Sequence, residues 1–189
     1  MITQFKTLFE EGKYDDVVVL WSASSELPKQ HNAKVDLYQI LAITADKLQL
    51  YKLGVWASKS GMDLLIDEPL SDEKRGSMKM FGKIALDFEL GERKYFKAYI
   101  LIKKYDLASY WDYFESQKAH ICTVLANKIY STTSIAFTVA AFSFIFLNNK
   151  LELLSPLPSL IVYGVCVVLG LVILLRRIAV KKLCYRWLR

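Results

Sequence analysis

The side chains that most often carry catalysis are few in this chain and do not form a familiar catalytic set. There are two histidines, His31 and His120, and three cysteines, Cys122, Cys166 and Cys184. The histidines lie far apart in sequence, and no two cysteines have the short spacing that zinc sites use. Sequences of the HExxH or GxSxG type do not occur. We therefore expect no metal, no cofactor and no enzymatic activity.

Two short stretches resemble catalytic motifs but lack essential parts of them. The stretch "GSMKMFGK", residues 76–83, has five residues between its glycines where a phosphate-binding loop has four. Ile84 stands where a hydroxyl side chain would hold magnesium, and no strand is predicted before it. The stretch "SDEK" at Ser71 has the spacing of a Ser-x-x-Lys pair, but it is more typical of a helix start. Neither stretch indicates an active site.

Two uncharged apolar runs occupy most of the C-terminal third. Residues 129–147 contain no charge over 19 positions, and residues 156–175 contain none over 20. Because a helix rises about 1.5 Å per residue, each run can cross a hydrocarbon core about 30 Å thick. The second run has too few polar residues to form the outward face of a soluble helix. We predict two transmembrane helices joined by a short connector, which makes an antiparallel hairpin.

The basic residues around these runs predict the orientation of the hairpin. Six cations follow the second run and Lys128 precedes the first, whereas the connector carries Lys150 beside Glu152. By the positive-inside rule, both chain ends face the cytoplasm of what we expect to be a bacterial inner membrane. The predicted interface side chains are cations and amphipathic rings, namely Arg176, Arg177, Lys181, Lys182, Tyr185, Arg186, Trp187 and Arg189.

The excess positive charge belongs to the membrane segment alone. Residues 1–127 carry 17 basic and 18 acidic side chains, a net charge of −1, whereas residues 128–189 have a net charge of +7. We therefore expect the bilayer and its anionic headgroups as partners, and no nucleic acid. Cys184 beside the predicted bilayer is either an ordinary thiol or an acylation site.

Residues 1–127 are predicted to form an all-α cytoplasmic domain, followed by the membrane hairpin and basic tail at 128–189. Glycine and proline separate segments of helical periodicity, and no stretch alternates apolar and polar residues long enough to indicate a strand. Ser109, with Asp112 three residues later, predicts an N-terminal cap for the last helix, which should continue into the first apolar run. The expected helices are 2–11, 14–26, 33–48, 50–65, 73–90, 93–104 and 109–128.

The first segment of this domain resembles the second half of a tetratricopeptide repeat. In "EEGKYDDVVVLWSASSELP", Gly12 forms the turn, and Tyr14, Val17, Trp21 and Pro28 take the positions of the family's tyrosine, small residue, aromatic residue and closing proline. Val17 stands where the family prefers alanine, and the proline comes one residue early. The resemblance extends over about the first 105 residues if two further units are included.

The second and third units follow the same pattern less closely. In the second, Tyr38 begins the unit, Leu41 and Ala42 make the close helix contact, and Tyr51 and Gly54 are the tyrosine and the small packing residue. In the third, Gly91 is expected at a turn longer than the family's. Tyr95 and Ala98 follow that turn.

Resemblance to this family implies stacked antiparallel helical hairpins with a concave groove that holds a peptide or a partner helix. The candidate groove aromatics are Trp21, Tyr38, Tyr51, Trp56 and Tyr95. The alternative is that these side chains simply fill the core, since aromatics at helical spacing commonly do.

The first apolar run carries small and polar residues on one helical face. Asn127, Ser131, Ser134, Thr138 and Ala141 recur at spacings of four and three residues. This set, called here the polar stripe, can pack closely against the second run and donate hydrogen bonds across the contact. It can also line a pore if several copies assemble.

Two functions therefore follow from the sequence. The first is a membrane-anchored interaction module, whose helical domain binds an unidentified protein partner or self-assembles at the inner membrane face. The alternative is an oligomeric pore-forming or membrane-disrupting effector, such as those of bacterial antiphage systems, with the helical domain as its sensor.

Overall fold

The computed structural model describes residues 1–24 and 26–151, although most side chains from residue 129 onward lie outside the description. Regular structure within those residues is entirely helical, so the predicted all-α class is confirmed. The predicted bounds of the first six helices agree within three residues. The helices are α1 (Ile2–Glu10), α2 (Tyr14–Ala23), α3 (His31–Lys47), α4 (Tyr51–Leu65), α5 (Asp72–Gly91), α6 (Tyr95–Lys104) and α7 (Asp112–Leu151), with a 3₁₀ turn at Leu107–Ser109.

The helix start predicted at Ser71 and the cap predicted at Ser109 had different outcomes. Ser71 precedes α5, and its Oγ accepts a hydrogen bond from the backbone N–H of Lys74 at 3.1 Å, as an N-cap should. The predicted cap at Ser109 was wrong. Its hydroxyl donates to the Asp106 carbonyl at 2.7 Å within the 3₁₀ turn, and α7 begins only at Asp112. The hydroxyl closes the turn that precedes the helix.

One turn geometry joins the helices of three successive hairpins, α1–α2, α3–α4 and α5–α6. The middle residue of each three-residue linker has a positive φ, which is 72° at Gly12, 55° at Gln49 and 56° at Arg93. In each turn the residue after the left-handed one donates its backbone N–H to the carbonyl five residues earlier. These donor–acceptor pairs are Lys13–Leu8 (2.9 Å), Leu50–Ala45 (2.8 Å) and Lys94–Glu89 (2.8 Å). This is the Schellman arrangement of a helix C-terminus, and it satisfies carbonyls that would otherwise lack donors.

The third turn corrects the expectation for Gly91. That residue is the last of α5, and Arg93 takes the left-handed position. The linker is three residues long, like the other two, so the third turn does not differ from them in length. The Schellman hydrogen bonds hold the backbone in place, even though a left-handed conformation costs a non-glycine residue roughly 1–2 kcal/mol.

The repeated turns align equivalent positions in the three hairpins. A tyrosine is the first residue of every second helix, at Tyr14, Tyr51 and Tyr95. The residue three positions later is buried in each case, at Val17, Gly54 and Ala98. The residue seven positions before the left-handed one is fully buried, at Phe5, Ala42 and Leu86. The repeat is therefore one of backbone geometry and burial, with different side chains at the buried positions.

Helices α4 and α5 approach closely because glycines of α4 accommodate rings of α5. A Cβ atom at Gly54 would overlap the ring of Phe88, and one at Gly61 would overlap the ring of Phe81. The two glycines are seven residues apart, as are the two phenylalanines, so each pair lies along one helical face. Phe81 is fully buried. Gly54 thus has the close-packing role that the sequence predicted.

The helices of residues 1–118 form two layers. Besides contacts between neighbours in sequence, α1 contacts α3 and α3 contacts α5. On the other side, the rings of Trp21 in α2 and Trp56 in α4 lie 5.3 Å apart. Lys104 of α6 donates to Asp63 Oδ1 of α4 at 2.8 Å. One layer therefore contains α1, α3 and α5, and the other contains α2, α4 and α6.

The chain divides into two units, Met1–Lys118 and Ala119–Arg189, and α7 is one helix that crosses the division. Its 40 residues extend about 60 Å at the usual helical rise. The prediction that the last domain helix continues beyond residue 128 is confirmed. No helix among residues 1–24 and 26–151 has both the length and the apolar character that crossing a membrane requires. The predicted second span, 156–175, lies outside the described residues.

Candidate partner-binding groove

Two adjoining cavities lie along the α1–α3–α5 layer. The first, of about 100 Å³, lies between α3 and the start of α5, and the second, of about 220 Å³, lies between α1 and α3. Asp36 and Gln39 line both cavities, so the two adjoin, and together they are called here the groove. Its other lining residues are Lys6, Phe9, Glu10, Asn32, Val35, Ile40, Leu65, Glu68, Ser71, Glu73, Lys74 and Ser77.

One ion pair and one hydrogen bond link the three helices among the lining residues of the groove. Lys6 of α1 pairs with Asp36 Oδ2 of α3 at 2.6 Å, and both side chains are nearly half exposed. Gln39 donates from Nε2 to Ser77 Oγ of α5 at 2.8 Å. These contacts link α3 to both of its neighbours in the layer at the position of the groove.

Lys74 lines the groove, but its ammonium group already donates hydrogen bonds to backbone carbonyls. The side chain is 5% exposed, and Nζ donates to the Ile66 carbonyl at 3.1 Å and also to the Glu68 carbonyl. A cation at the C-terminus of α4 satisfies carbonyls left without helical partners and opposes the negative end of the helix dipole. Glu68 Oε1 in turn contacts His31 Nε2 at 2.5 Å. Lys74 is therefore not available to a ligand, and one carboxylate oxygen of Glu68 already has a partner.

Three other lining groups remain available. Among the residues that the structure describes, Glu10 and Glu73 take part in no ion pair, and the Asn32 amide has no hydrogen-bond partner. All three are exposed. The groove thus offers two carboxylates and one amide, together with apolar contacts from Phe9 and Val35. Such a surface suits an extended segment that brings N–H donors and basic side chains.

The candidate groove aromatics lie elsewhere in the unit. Tyr38 and Trp56 have ring centroids 5.4 Å apart, and Trp56 also contacts Trp21. Tyr38 is buried, which fits the alternative that it fills the core, whereas Trp56 is 40% exposed. Burial raises the pKa of the Tyr38 hydroxyl. None of these three aromatics lines the two cavities described above.

Tyr51 belongs to a separate network around a buried carboxylate. Glu89 is 1% exposed, and it accepts hydrogen bonds from the Tyr51 hydroxyl at 2.8 Å and from Lys59 Nζ at 3.2 Å. Lys94 lies 4.0 Å from the centre of the Tyr51 ring. Burial raises the pKa of Tyr51, and the contact with Tyr51 raises the pKa of Lys94. Removing one partner of such a buried charge is costly, so the network is structural.

Two further tyrosines pair with carboxylates between helices. Tyr105 and Lys104 both donate to Asp63 Oδ1, at 2.9 and 2.8 Å, and this contact raises the pKa of Lys104. Tyr113 donates to Asp87 Oδ1 at 3.0 Å. Its burial, together with the nearby carboxylate, raises the pKa of Tyr113 to about 12. The remaining candidate, Tyr95, is half-buried at the start of α6.

Groups with catalytic chemistry are not brought together in the described part of the chain. His120 is exposed on α7, while His31 contacts Glu68. No cluster of three His, Cys, Asp or Glu side chains in residues 1–24 and 26–151 could hold a metal ion. The glycine-rich stretch 76–83 is part of helix α5, with no loop that could enclose a phosphate.

The polar stripe lies within α7, so its members share one helical face. Asn127 and Ser131 are exposed, whereas the side chains of Ser134, Thr138 and Ala141 lie outside the description. The predicted interface residues, including Arg176, Tyr185 and Trp187, also lie outside the described residues, and so does Cys184.

The polar groove residues of α3 were not singled out by the sequence. Asn32, Asp36 and Gln39 recur at spacings of four and three residues, opposite the buried Leu37 and Leu41. That spacing on α3 was a usable signal, but every exposed helix has a polar face. Only contact with α1 and α5 distinguishes this one as a groove.

Comparisons with known proteins give no relative for this chain. No protein-family model matches it, no curated protein matches it, and no solved structure matches it.

Proposed function

We propose that the protein is a membrane-anchored interaction module whose helical unit binds a segment of a partner protein in the groove. The groove itself carries the proposal. It joins three helices and presents Glu10, Glu73 and Asn32 without partners in the described part of the chain. The segment that fits is extended and basic, with donors for the carboxylates and a small apolar side chain for the contact with Phe9 or Val35.

The unit is proposed to be a short stack of antiparallel helical hairpins, as the resemblance to tetratricopeptide repeats implies. Three features support the stack: the three equal turns, the tyrosine that begins each second helix, and the contacts of α3 with both α1 and α5. Stacked hairpins bury a continuous core and leave an extended surface along one layer, which is the surface that repeat proteins use for binding.

The anchor is proposed to be the hairpin of apolar runs 129–147 and 156–175, with both chain ends in the cytoplasm of a bacterial inner membrane. The uncharged length of the two runs and the cations after the second support this orientation. The basic tail would bind anionic headgroups. A groove held at the inner face of the membrane would recruit its partner to that surface.

The first prediction tests the groove by site-specific crosslinking. A photoreactive amino acid replaces Asn32 in the full chain, and another replaces Lys52, which is exposed on α4 in the other layer. We expect a crosslinked partner at position 32 that is not crosslinked at position 52. The purified partner should then bind the native chain, and the double change Glu10→Gln and Glu73→Gln should weaken its Kd about tenfold because both carboxylates lose their charge.

Two results would count against the groove. Equal crosslinking at both positions would indicate a partner that does not select this layer. A crosslink between two copies of the chain at position 32 would replace the partner with self-assembly.

A pore is the second candidate, since α7 is unbroken and exposes Asn127 and Ser131 on the polar stripe. The second prediction separates the two functions with the changes Ser134→Leu and Thr138→Leu. If the chain is an interaction module, ion leakage from vesicles that contain it should not change, and the detergent particle should have no ring-like stoichiometry by mass. Loss of conductance in the variant, together with a symmetric oligomer, would favour the pore.

A further inference from the structure

Helix α6 exposes two large apolar side chains on its outer face. Phe96 is 65% exposed and Ile100 is 46% exposed. They are four residues apart and therefore adjacent, separated by about 40° around the helix axis. The opposite face of α6 supplies the core with Ala98, Leu101 and Ile102, all of them buried. The helix is thus apolar on both sides, and its outer pair has no role in holding the fold together.

Cations flank this exposed pair along the chain, and helix α6 itself contains no acidic residue. From Arg93 to Tyr105 the chain has five basic residues and no acidic one. At about 100° per residue, Lys103 lies about 20° from Phe96 around the helix axis and about two turns further along the helix, and Lys97 lies about 60° beyond Ile100 on the other edge of the face. Within the described part of the chain, Arg93, Lys97 and Lys103 take part in no ion pair, whereas Lys104 is held by Asp63.

This arrangement matches the chemistry of an anionic bilayer surface. Phe96 and Ile100 can enter the boundary between headgroups and acyl chains, while the lysines keep their ammonium groups among the phosphates. Their long apolar stems allow this position without burying the charge. A protein partner would need carboxylates at fixed positions to match each lysine of α6. Anionic headgroups in a fluid bilayer can instead rearrange around the lysines.

We propose that the outer face of α6, formed by Phe96, Ile100, Lys97 and Lys103, binds the surface of an anionic phospholipid bilayer. The contact holds the helical unit flat on the membrane through one of its own helices. It is separate from the groove, which lies in the α1–α3–α5 layer, and it requires neither a protein partner nor the predicted hairpin.

Lysine footprinting tests this proposal on the full chain without labelling mutations. The native protein is combined with lipid nanodiscs of phosphatidylcholine alone, or with about one-third phosphatidylserine to supply negative surface charge. A water-soluble amine-acylating reagent is added, and the modification of each lysine is read by mass spectrometry. We expect acylation of Lys97 and Lys103 to slow about fivefold in the anionic discs, because both ammonium groups are engaged by phosphates. Lys47 is exposed on α3, in the α1–α3–α5 layer, and takes part in no ion pair among the described residues, so it is the matched control and its rate should not change.

A variant with Phe96→Ser and Ile100→Ser separates the apolar contribution from simple charge attraction. Both sites are exposed, so the fold should persist, and circular dichroism checks it. We expect the protection of Lys97 and Lys103 to be lost in this variant, and also in the native chain at high salt.

Several outcomes would overturn the proposal. These are equal acylation rates in neutral and anionic discs, protection that survives in the serine variant, and protection that grows with protein concentration in the absence of lipid. The last would assign the face to a second copy of the chain. Retention of the protein in neutral discs after an alkaline wash reports on the hairpin anchor alone, so failure of the anchor and failure of the α6 contact give different results.

Discussion

Gly61 and Gly76 are both glycines within helices, but only Gly61 lies against an aromatic ring. A methyl group at Gly61 would overlap Phe81, whereas one at Gly76 would meet nothing within 4 Å. Phe81 is buried on all sides, so it cannot move away without disturbing the rest of the core. The same substitution should therefore have opposite effects at the two positions.

The third prediction is that Gly61→Ala destabilises the full chain by about 1–3 kcal/mol through overpacking. Gly76→Ala should instead stabilise it by about 0.5–1 kcal/mol, because alanine favours the helix. Thermal unfolding followed by circular dichroism in mild detergent measures both changes. Adding Phe81→Leu to Gly61→Ala should recover part of the loss in a double-mutant cycle. Equal midpoints for the two single variants would contradict the close contact of α4 with α5.

At the scale of the elements, the turn defines the repeat better than any single residue type does. Gly12 is the only glycine among the three left-handed linker positions, and Gln49 and Arg93 occupy the other two. The sequence pattern places a glycine at the third turn, but that glycine, Gly91, is helical. Backbone hydrogen bonds to carbonyls three and five residues earlier are what the turns share.

The fourth prediction follows from these positions. Gly12→Ala should destabilise the chain by about 1 kcal/mol, since alanine is strained at a φ of 72°. Gly91→Ala should be neutral or mildly stabilising, because Gly91 is helical and its Cβ would meet nothing within 4 Å. Arg93→Gly should raise stability by relieving a left-handed residue. Thermal unfolding midpoints of the three variants measure these changes. A large loss of stability on Gly91→Ala would indicate that Gly91 takes the left-handed position of the third turn.

At the scale of the whole molecule, the proposed orientation makes the connector 148–155 external and the helical unit cytoplasmic. The fifth prediction uses a background in which the native cysteines are serine. A membrane-impermeant thiol reagent applied to intact cells should label Asn149→Cys. It should label Gly76→Cys, an exposed position of α5, only after the cells are permeabilised. Labelling of both residues, or of neither, before permeabilisation would contradict the orientation.

Much of the helical fold was predictable from local signals. Glycines, prolines and periodic apolar residues located α1–α6 within three residues, and the stretch at Ser71 was recognised as a helix start. These signals act within a few residues of the chain, so sequence alone contains them. The cap expected at Ser109 failed because its hydroxyl found a nearer carbonyl in a 3₁₀ turn.

The candidate site was harder to predict from the sequence, because its residues lie on helices that are tens of residues apart along the chain. The aromatics favoured by their type are buried or clustered on other helices, as Tyr38 and Trp56 are. The groove is formed instead by Asp36, Gln39 and Glu73, ordinary polar residues whose importance depends on which helices adjoin them.

The sequence by itself determined that the part of the chain described here is helical, where the helices of residues 1–104 lie, and that the positive charge is concentrated after residue 127. These properties depend on short-range periodicity and composition, which a chain possesses before it folds. Only the tertiary structure decided that α1, α3 and α5 adjoin, that Gly61 accommodates Phe81, and that α6 leaves Phe96 uncovered. Tertiary packing decides these contacts because the burial of a side chain depends on which helices lie against it.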